Sequence, residues 1–217
     1  MDILFKIFLT LHIMGGSVGL FTGTINLVRK KGDKKHKLTG KIFTWGMLTA
    51  GFSALVLSVM HPNYFLFMVG VFTIYMVGTG YRYIYIKLLG SDRRPAIIDR
   101  IITASMLLAG LLFIGLGIKN LIAQNYFGIV FIVFGGVGLS FVKSDFDNYK
   151  GKAKTKNYWL LAHLQRMTGA YIAATTAFLV VNAKYSPVEL PGVVVWLLPT
   201  AILTPLIISW SRKYEVK

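Results

Sequence analysis

The chain has no cysteine and only eight acidic residues. The first absence excludes disulfides, thiolate metal sites and cysteine nucleophiles. Charged residues make up 15% of the 217 positions, while hydrophobic ones reach 55%. An ordinary soluble domain carries roughly 25% charged residues, so soluble, disordered and collagen-like classes are excluded. Zincin and phosphate-loop signatures are missing too. Ser17, Ser53, Ser58 and Ser105 stand without a nucleophile-elbow pattern or a nearby carboxylate, so nothing points to hydrolysis and no catalytic residue is assigned. Whether the chain is an enzyme stays open at this level.

What is present is apolar sequence in long blocks, at 3–28, 38–60, 64–86, 97–118, 125–142, 159–182 and 192–211. Blocks near 20 residues match the length a helix needs to cross a bilayer, which predicts an all-α polytopic membrane protein of seven transmembrane helices in a single domain, 1–217. The connections sort by charge. Arg29, Lys30, Lys31, Lys34, Lys35, Lys37 and Lys41 flank the first, Arg82, Lys87, Arg93, Arg94 and Arg100 the third, and Lys143, Lys150, Lys152, Lys154 and Lys156 the fifth, with Arg212, Lys213 and Lys217 after the last block. Lys6, Lys119 and Lys184 lie on the opposite side. The positive-inside rule therefore predicts an outer N-terminus and a cytoplasmic C-terminus. The net charge of +16 is thereby topological, which excludes nucleic acid as the implied partner and leaves anionic lipids at the basic loops. The start Met1-Asp2-Ile3-Leu4 lacks a basic n-region, so the first block is expected to be a retained helix rather than a signal peptide.

Gly15, Gly19 and Gly23 recur every four residues, which leaves one stripe of the first helix nearly free of side chains and able to admit a neighbouring backbone. His12, one turn before the stripe, is expected to face protein. Pro199 and Pro205 each remove a backbone donor from the last block, giving either a simple kink or a helix broken at membrane depth. Gly15-Gly16-Ser17-Val18-Gly19-Leu20 followed by a basic loop, His36 and Thr39-Gly40 parallels Gly135-Gly136-Val137-Gly138-Leu139 followed by a basic loop, His163 and Thr168-Gly169. That parallel suggests a parallel 3+1+3 repeat with the fourth helix as linker.

No Asp or Glu falls in the middle of any predicted span. The polar candidates are His12, His163, Gln165 and Arg166, with His36 and His61 at helix ends. At 1.5 Å per residue, His12 sits roughly 14 Å below the outer end of its helix and His163 roughly 6 to 8 Å above the inner end of its own, too far apart to share one metal. His36 and His163 are the histidine pair at matching depth. Two neutral imidazoles on facing helices can ligate haem iron, which makes His36, His163 and, as a separate point, His12 candidate cofactor-binding residues. Arg166 and Gln165 are candidate ligand-binding residues, because a guanidinium offers a fork of donors to a headgroup, a quinone carbonyl or a carboxylate. Alternatively, His163 bonds a neighbouring helix and Arg166 snorkels to the interface.

The string from His12-x-x-Gly15 through His36-Lys37-Leu38-Thr39-Gly40-Lys41-Ile42-Phe43, and later His163-Leu164-Gln165-Arg166-Met167-Thr168-Gly169-Ala170-Tyr171, resembles an uncharacterised bacterial family of predicted multi-helix membrane proteins with a domain of unknown function. The resemblance extends over nearly the whole chain. It implies a multi-helix bacterial membrane protein with His12, His36, His163 and Arg166 at the family's motif positions, and it carries no activity. Three roles stay open: a b-type haem or quinone redox carrier, a carrier or sensor for a small anionic molecule, and a structural subunit of a membrane complex. The expected partners are the bilayer, anionic lipids, a small-molecule ligand and a second copy of the chain.

Overall fold

The computed structural model describes residues 3–87, 94–186 and 191–216. Met1, Asp2, Arg93 and Lys217 of the features above lie outside that range. The described residues form seven α-helices: α1 (Ile3–Val28), α2 (Lys34–Met60), α3 (Tyr64–Tyr83), α4 (Ile97–Ile122), α5 (Gly128–Tyr149), α6 (Tyr158–Asn182) and α7 (Gly192–Tyr214), with a 3-10 turn at Ala183–Tyr185. Six of the seven are long and apolar enough to cross a membrane. The exception is α6, so a count of seven spans is not reached on length and composition. The physical reason is its polar load: His163, Gln165, Arg166, Thr168, Thr175, Thr176 and Asn182 all lie on it.

Helices in a bilayer gain little from hydrophobic burial against one another and instead depend on close backbone approach and interhelical hydrogen bonds. The glycines provide the approach. On α1 the buried residues are Gly15, Gly19, Thr22 and Gly23, the stripe seen in the sequence. A Cβ added at Gly15 would lie 2.7 Å from the Gly46 carbonyl oxygen and 3.0 Å from the Ala50 nitrogen, so α1 and α2 cross backbone on backbone. The same device joins α4 to α5, where a Cβ at Gly128 would run into the Gly117 carbonyl oxygen and one at Gly135 would lie 2.9 Å from that of Gly110.

α3 is the hub. It packs on α2, α4, α5 and α6. Its buried face includes Met68, Phe72, Tyr75, Met76 and Val77, part of the main apolar cluster, and Tyr83, which packs in a second cluster with Ile86 and Ala162. α7 packs on α6, with Trp196 edge-on to Phe65 at 5.4 Å between ring centroids. It runs uninterrupted through Pro199 and Pro205, which agrees with the unbroken alternative and not with a helix broken twice.

The basic connections converge on one end of the bundle. The Lys31 ammonium donates to the carbonyls of Asn26 and Leu27 at 2.6 and 2.7 Å and lies over the Trp210 ring at 4.3 Å, tying the end of α1 to the end of α7. Burial there pulls the Lys31 pKa down from its ordinary value. Lys87 lies over Trp159 at 4.4 Å, and the Tyr158 hydroxyl donates to the Ile86 carbonyl at 3.1 Å, joining the end of α3 to the start of α6. Val216 donates its backbone N–H to Asn157 at 3.0 Å, so the last described residues clasp the α5–α6 connection.

The crossing of α1 on α2 predicts a clean contrast. Gly15→Ala is expected to cost about 1–3 kcal/mol by overpacking against backbone. Gly16→Ala, with nothing within 4 Å of the added carbon, is expected to be neutral or slightly stabilising. Thermal unfolding in detergent followed by tryptophan fluorescence checks both.

Candidate functional site

α6 carries the polar residues that the sequence singles out, and the site is built around it. The Arg166 guanidinium is 1% exposed and donates from Nη2 to Asp145 Oδ1 at 2.5 Å and to the Phe141 carbonyl at 3.2 Å, both on α5. Asp145, 0% exposed, also accepts from Tyr75 and Tyr83 of α3 at 2.7 Å each and from Thr103 of α4 at 3.2 Å. Four helices therefore meet on one carboxylate. The Tyr83 and Phe141 rings flank the guanidinium at 4.7 and 5.1 Å, so it is held by cation–π attraction as well as by charge. Arg166 Nε is buried with no hydrogen-bond partner.

Two smaller groups extend this centre. The Tyr83 hydroxyl accepts from Asn148 Nδ2 at 3.0 Å, and the Tyr149 hydroxyl meets Thr103 Oγ1 at 3.1 Å. Nearer the basic end, Arg82 grips Asp99 with Nε at 2.6 Å and Nη2 at 2.9 Å, a bidentate pair that joins the end of α3 to the first turn of α4.

The buried carboxylate corrects the sequence reading. The fifth predicted span stops at 142, and Lys143, Lys150, Lys152, Lys154 and Lys156 are assigned to the basic connection after it, with no role given to Asp145. The helix instead runs to Tyr149. Val142, Asp145 and Asn148 form one buried face at helical spacing, while Lys143 and Lys150 point outward. That periodicity was available in the sequence, but an acid at a span end reads as solvated until Arg166 is seen opposite it. Arg166 accordingly does not snorkel to the interface.

The histidines are placed by backbone carbonyls. His163 Nδ1 lies 2.8 Å from the Gly80 carbonyl oxygen on α3, and His12 Nδ1 lies 2.9 Å from the Ala50 carbonyl oxygen on α2. A carbonyl only accepts, so each Nδ1 carries the proton and, in the neutral ring, each Nε2 keeps its lone pair. The expectation that His12 faces protein is met. Gly80 serves α6 twice: its carbonyl takes His163, and its missing side chain admits Arg166 Cβ, which would lie 3.2 Å from an added Cβ.

His36 occupies the first turn of α2, where its backbone N–H donates to the Asp33 carboxylate at 2.6 Å, an N-cap that fixes the entry of the helix. Its ring Nδ1 is buried without a partner. Gln165 Nε2 donates to Ser211 of α7 at 3.4 Å. His61 is exposed at the far end and meets the Phe5 ring edge-on at 4.5 Å. Among the described residues no three His, Asp or Glu side chains converge as a metal site would require.

Removing one partner of a buried ion pair leaves an uncompensated charge, so Asp145→Ala is expected to cost about 3–5 kcal/mol, with Arg166→Met together with Asp145→Leu recovering most of it. Thermal unfolding of the three proteins measures both effects. The His36 backbone N–H, assisted by Arg29, holds the Asp33 carboxyl below its usual value of 3.8. A depressed carboxyl pKa stabilises the fold above the ordinary value and is lost as pH falls through the folded one. The melting-temperature gap between the wild type and Asp33→Ala should thus be constant at neutral pH and close below about pH 4.

No curated protein and no solved structure matches the chain. Residues 9–118 match the family model described as "Predicted membrane protein (DUF2306)", a domain of unknown function. That stretch contains His12, His36, Gly80 and the Arg82–Asp99 pair, and it ends before Asp145, His163 and Arg166, so it is shorter than the near-complete resemblance read from the motifs. The chain is a membrane protein with several spanning helices and belongs to this family.

Proposed function

We propose that the protein is a membrane redox carrier that holds a b-type haem through His36 and His163, or passes electrons to a quinone at the same place. The observation that carries this reading is the state of the two rings. The His163 ring is oriented through Nδ1 by the Gly80 carbonyl, which leaves the lone pair of the neutral ring on Nε2, the tautomer that ligating histidines adopt. His36, in the first turn of α2, has a buried ring nitrogen without a partner. Two imidazoles alone make a poor site for a bare ion, whereas a porphyrin would bring nitrogens of its own, so His36 and His163 would be the residues to hold it. The haem supplies one-electron chemistry. The chain fixes ring orientation and sets the charge around it through the basic end and the nearby Arg166–Asp145 pair.

In this reading α2 and α6 correspond in the parallel 3+1+3 arrangement, the basic end faces the cytoplasm, the N-terminus lies outside, and the membrane is a bacterial inner one. His12 marks a separate polar point nearer the other end, so its replacement leaves the His36–His163 site intact. A second reading, a carrier or sensor for a small anionic molecule, is favoured by the buried and unpartnered Arg166 Nε. There an acetate-like carboxylate would share Arg166 with Asp145, and its thermal stabilisation of the protein would be lost in Arg166→Ala.

The test is an absorption spectrum of protein purified in mild detergent after expression with a haem precursor, recorded oxidised and then dithionite-reduced. A Soret band with sharp reduced bands is expected, lost in His163→Ala and His36→Ala and kept in His12→Ala. A colourless protein that is monodisperse and melts cooperatively overturns the haem reading.

A further inference from the structure

A cavity of about 400 Å³ opens between the start of α4 and the end of α5, apart from the residues used above to hold a cofactor. It is lined by Arg94, Pro95, Arg100, Phe146, Tyr149 and Lys150. Among the described residues, three cations and no carboxylate line it. Asp99, on the first turn of α4, is turned inward and spent on Arg82, and Asp145 of α5 is spent on Arg166. Among the described residues, none forms an ion pair with the cations of the cavity, Arg94, Arg100 and Lys150.

The rest of the lining is apolar. Tyr149 offers its ring rather than its hydroxyl, which is engaged inward by Thr103 and by the Asp99 carbonyl at 3.4 Å. Phe146 is 41% exposed on the side of α5 away from Asp145, so one wall continues onto the outer surface of the bundle. A soluble anion would need the cations alone. A cationic mouth set on an aromatic floor that runs out to the surface fits an anion carrying an apolar tail.

We infer that this cavity binds the phosphate of an anionic phospholipid, with Arg94, Arg100 and Lys150 taking the phosphate oxygens and Phe146 and Pro95 packing along the glycerol and first methylenes. The shared chemistry is a phosphate group, and its carrier is the lipid. The site makes lipid composition a determinant of how firmly α4 and α5 are held, independently of any cofactor at His36 and His163.

The test uses the full chain in detergent. Native mass spectrometry measures retention of added phosphatidylglycerol against phosphatidylcholine, and thermal unfolding measures the effect of inorganic phosphate. One phosphatidylglycerol is expected to be retained in preference to phosphatidylcholine. In a triple variant, Arg94→Gln with Arg100→Gln and Lys150→Gln, its affinity should fall by about a hundredfold, as the loss of three cations near a lipid surface implies. All three side chains are exposed, so folding is not at stake. A control variant removes as much charge elsewhere at the basic end, by Lys30→Gln, Lys34→Gln and Lys35→Gln, and should retain the lipid. Equal retention of the two lipids, or an equal loss in the control, overturns the site as a diffuse charge effect. Inorganic phosphate that stabilises the protein as strongly as phosphatidylglycerol and displaces it overturns the lipid as the occupant.

Discussion

The ion pair between Asp145 and Arg166 is the interaction on which the arrangement of α3, α4, α5 and α6 depends. A carboxylate removed from water needs every acceptor position filled, and here the donors come from Tyr75, Tyr83, Thr103 and Arg166 on three other helices. Each donor has one reach and one direction, so satisfying the carboxylate fixes the register of those helices together. Small residues then let the backbones come close enough: Gly80 at the α3–α6 crossing, and Gly110, Gly117, Gly128 and Gly135 between α4 and α5. The hairpin of α1 and α2 closes by the same glycine packing and needs no charge.

Much of this was legible in the sequence, and the parts that were not share a cause. Helix positions follow from the length of apolar runs. The buried stripe of α1 follows from glycines four residues apart, and that His12 faces protein follows from its place beside them. What sequence alone misses are pairings between helices far apart in the chain. Asp145 looks like one charge among several in a basic loop until Arg166 is opposite it, and the ligand of His163 is a carbonyl, which no side-chain pattern marks. The polar load of α6 was visible as His163, Gln165 and Arg166. Its consequence, a helix too polar to qualify as a span by composition, was hidden by reading the apolar block alone.

The two polar features of α6 divide its work. Arg166 turns toward α5 and locks the bundle, while His163, one turn earlier, is pinned to α3 through Nδ1. Gly80 touches both, so the geometry that holds the ion pair also sets the imidazole. The proposed redox site thus borrows its rigidity from a charge pair that need not take part in the chemistry. His36 is positioned separately, by the Asp33 cap at the start of α2.

The central claim, that one buried charge pair holds the register of four helices, is tested most directly by region-resolved hydrogen–deuterium exchange of the wild type and Arg166→Met in the same detergent. The account predicts faster exchange in α3 near Tyr75 to Tyr83, in α5 near Asp145 and in the first turns of α6, with the α1–α2 crossing around Gly15 and Gly46 unchanged. Exchange that is unaltered in α3 and α5, or raised equally in the α1–α2 hairpin, would contradict it.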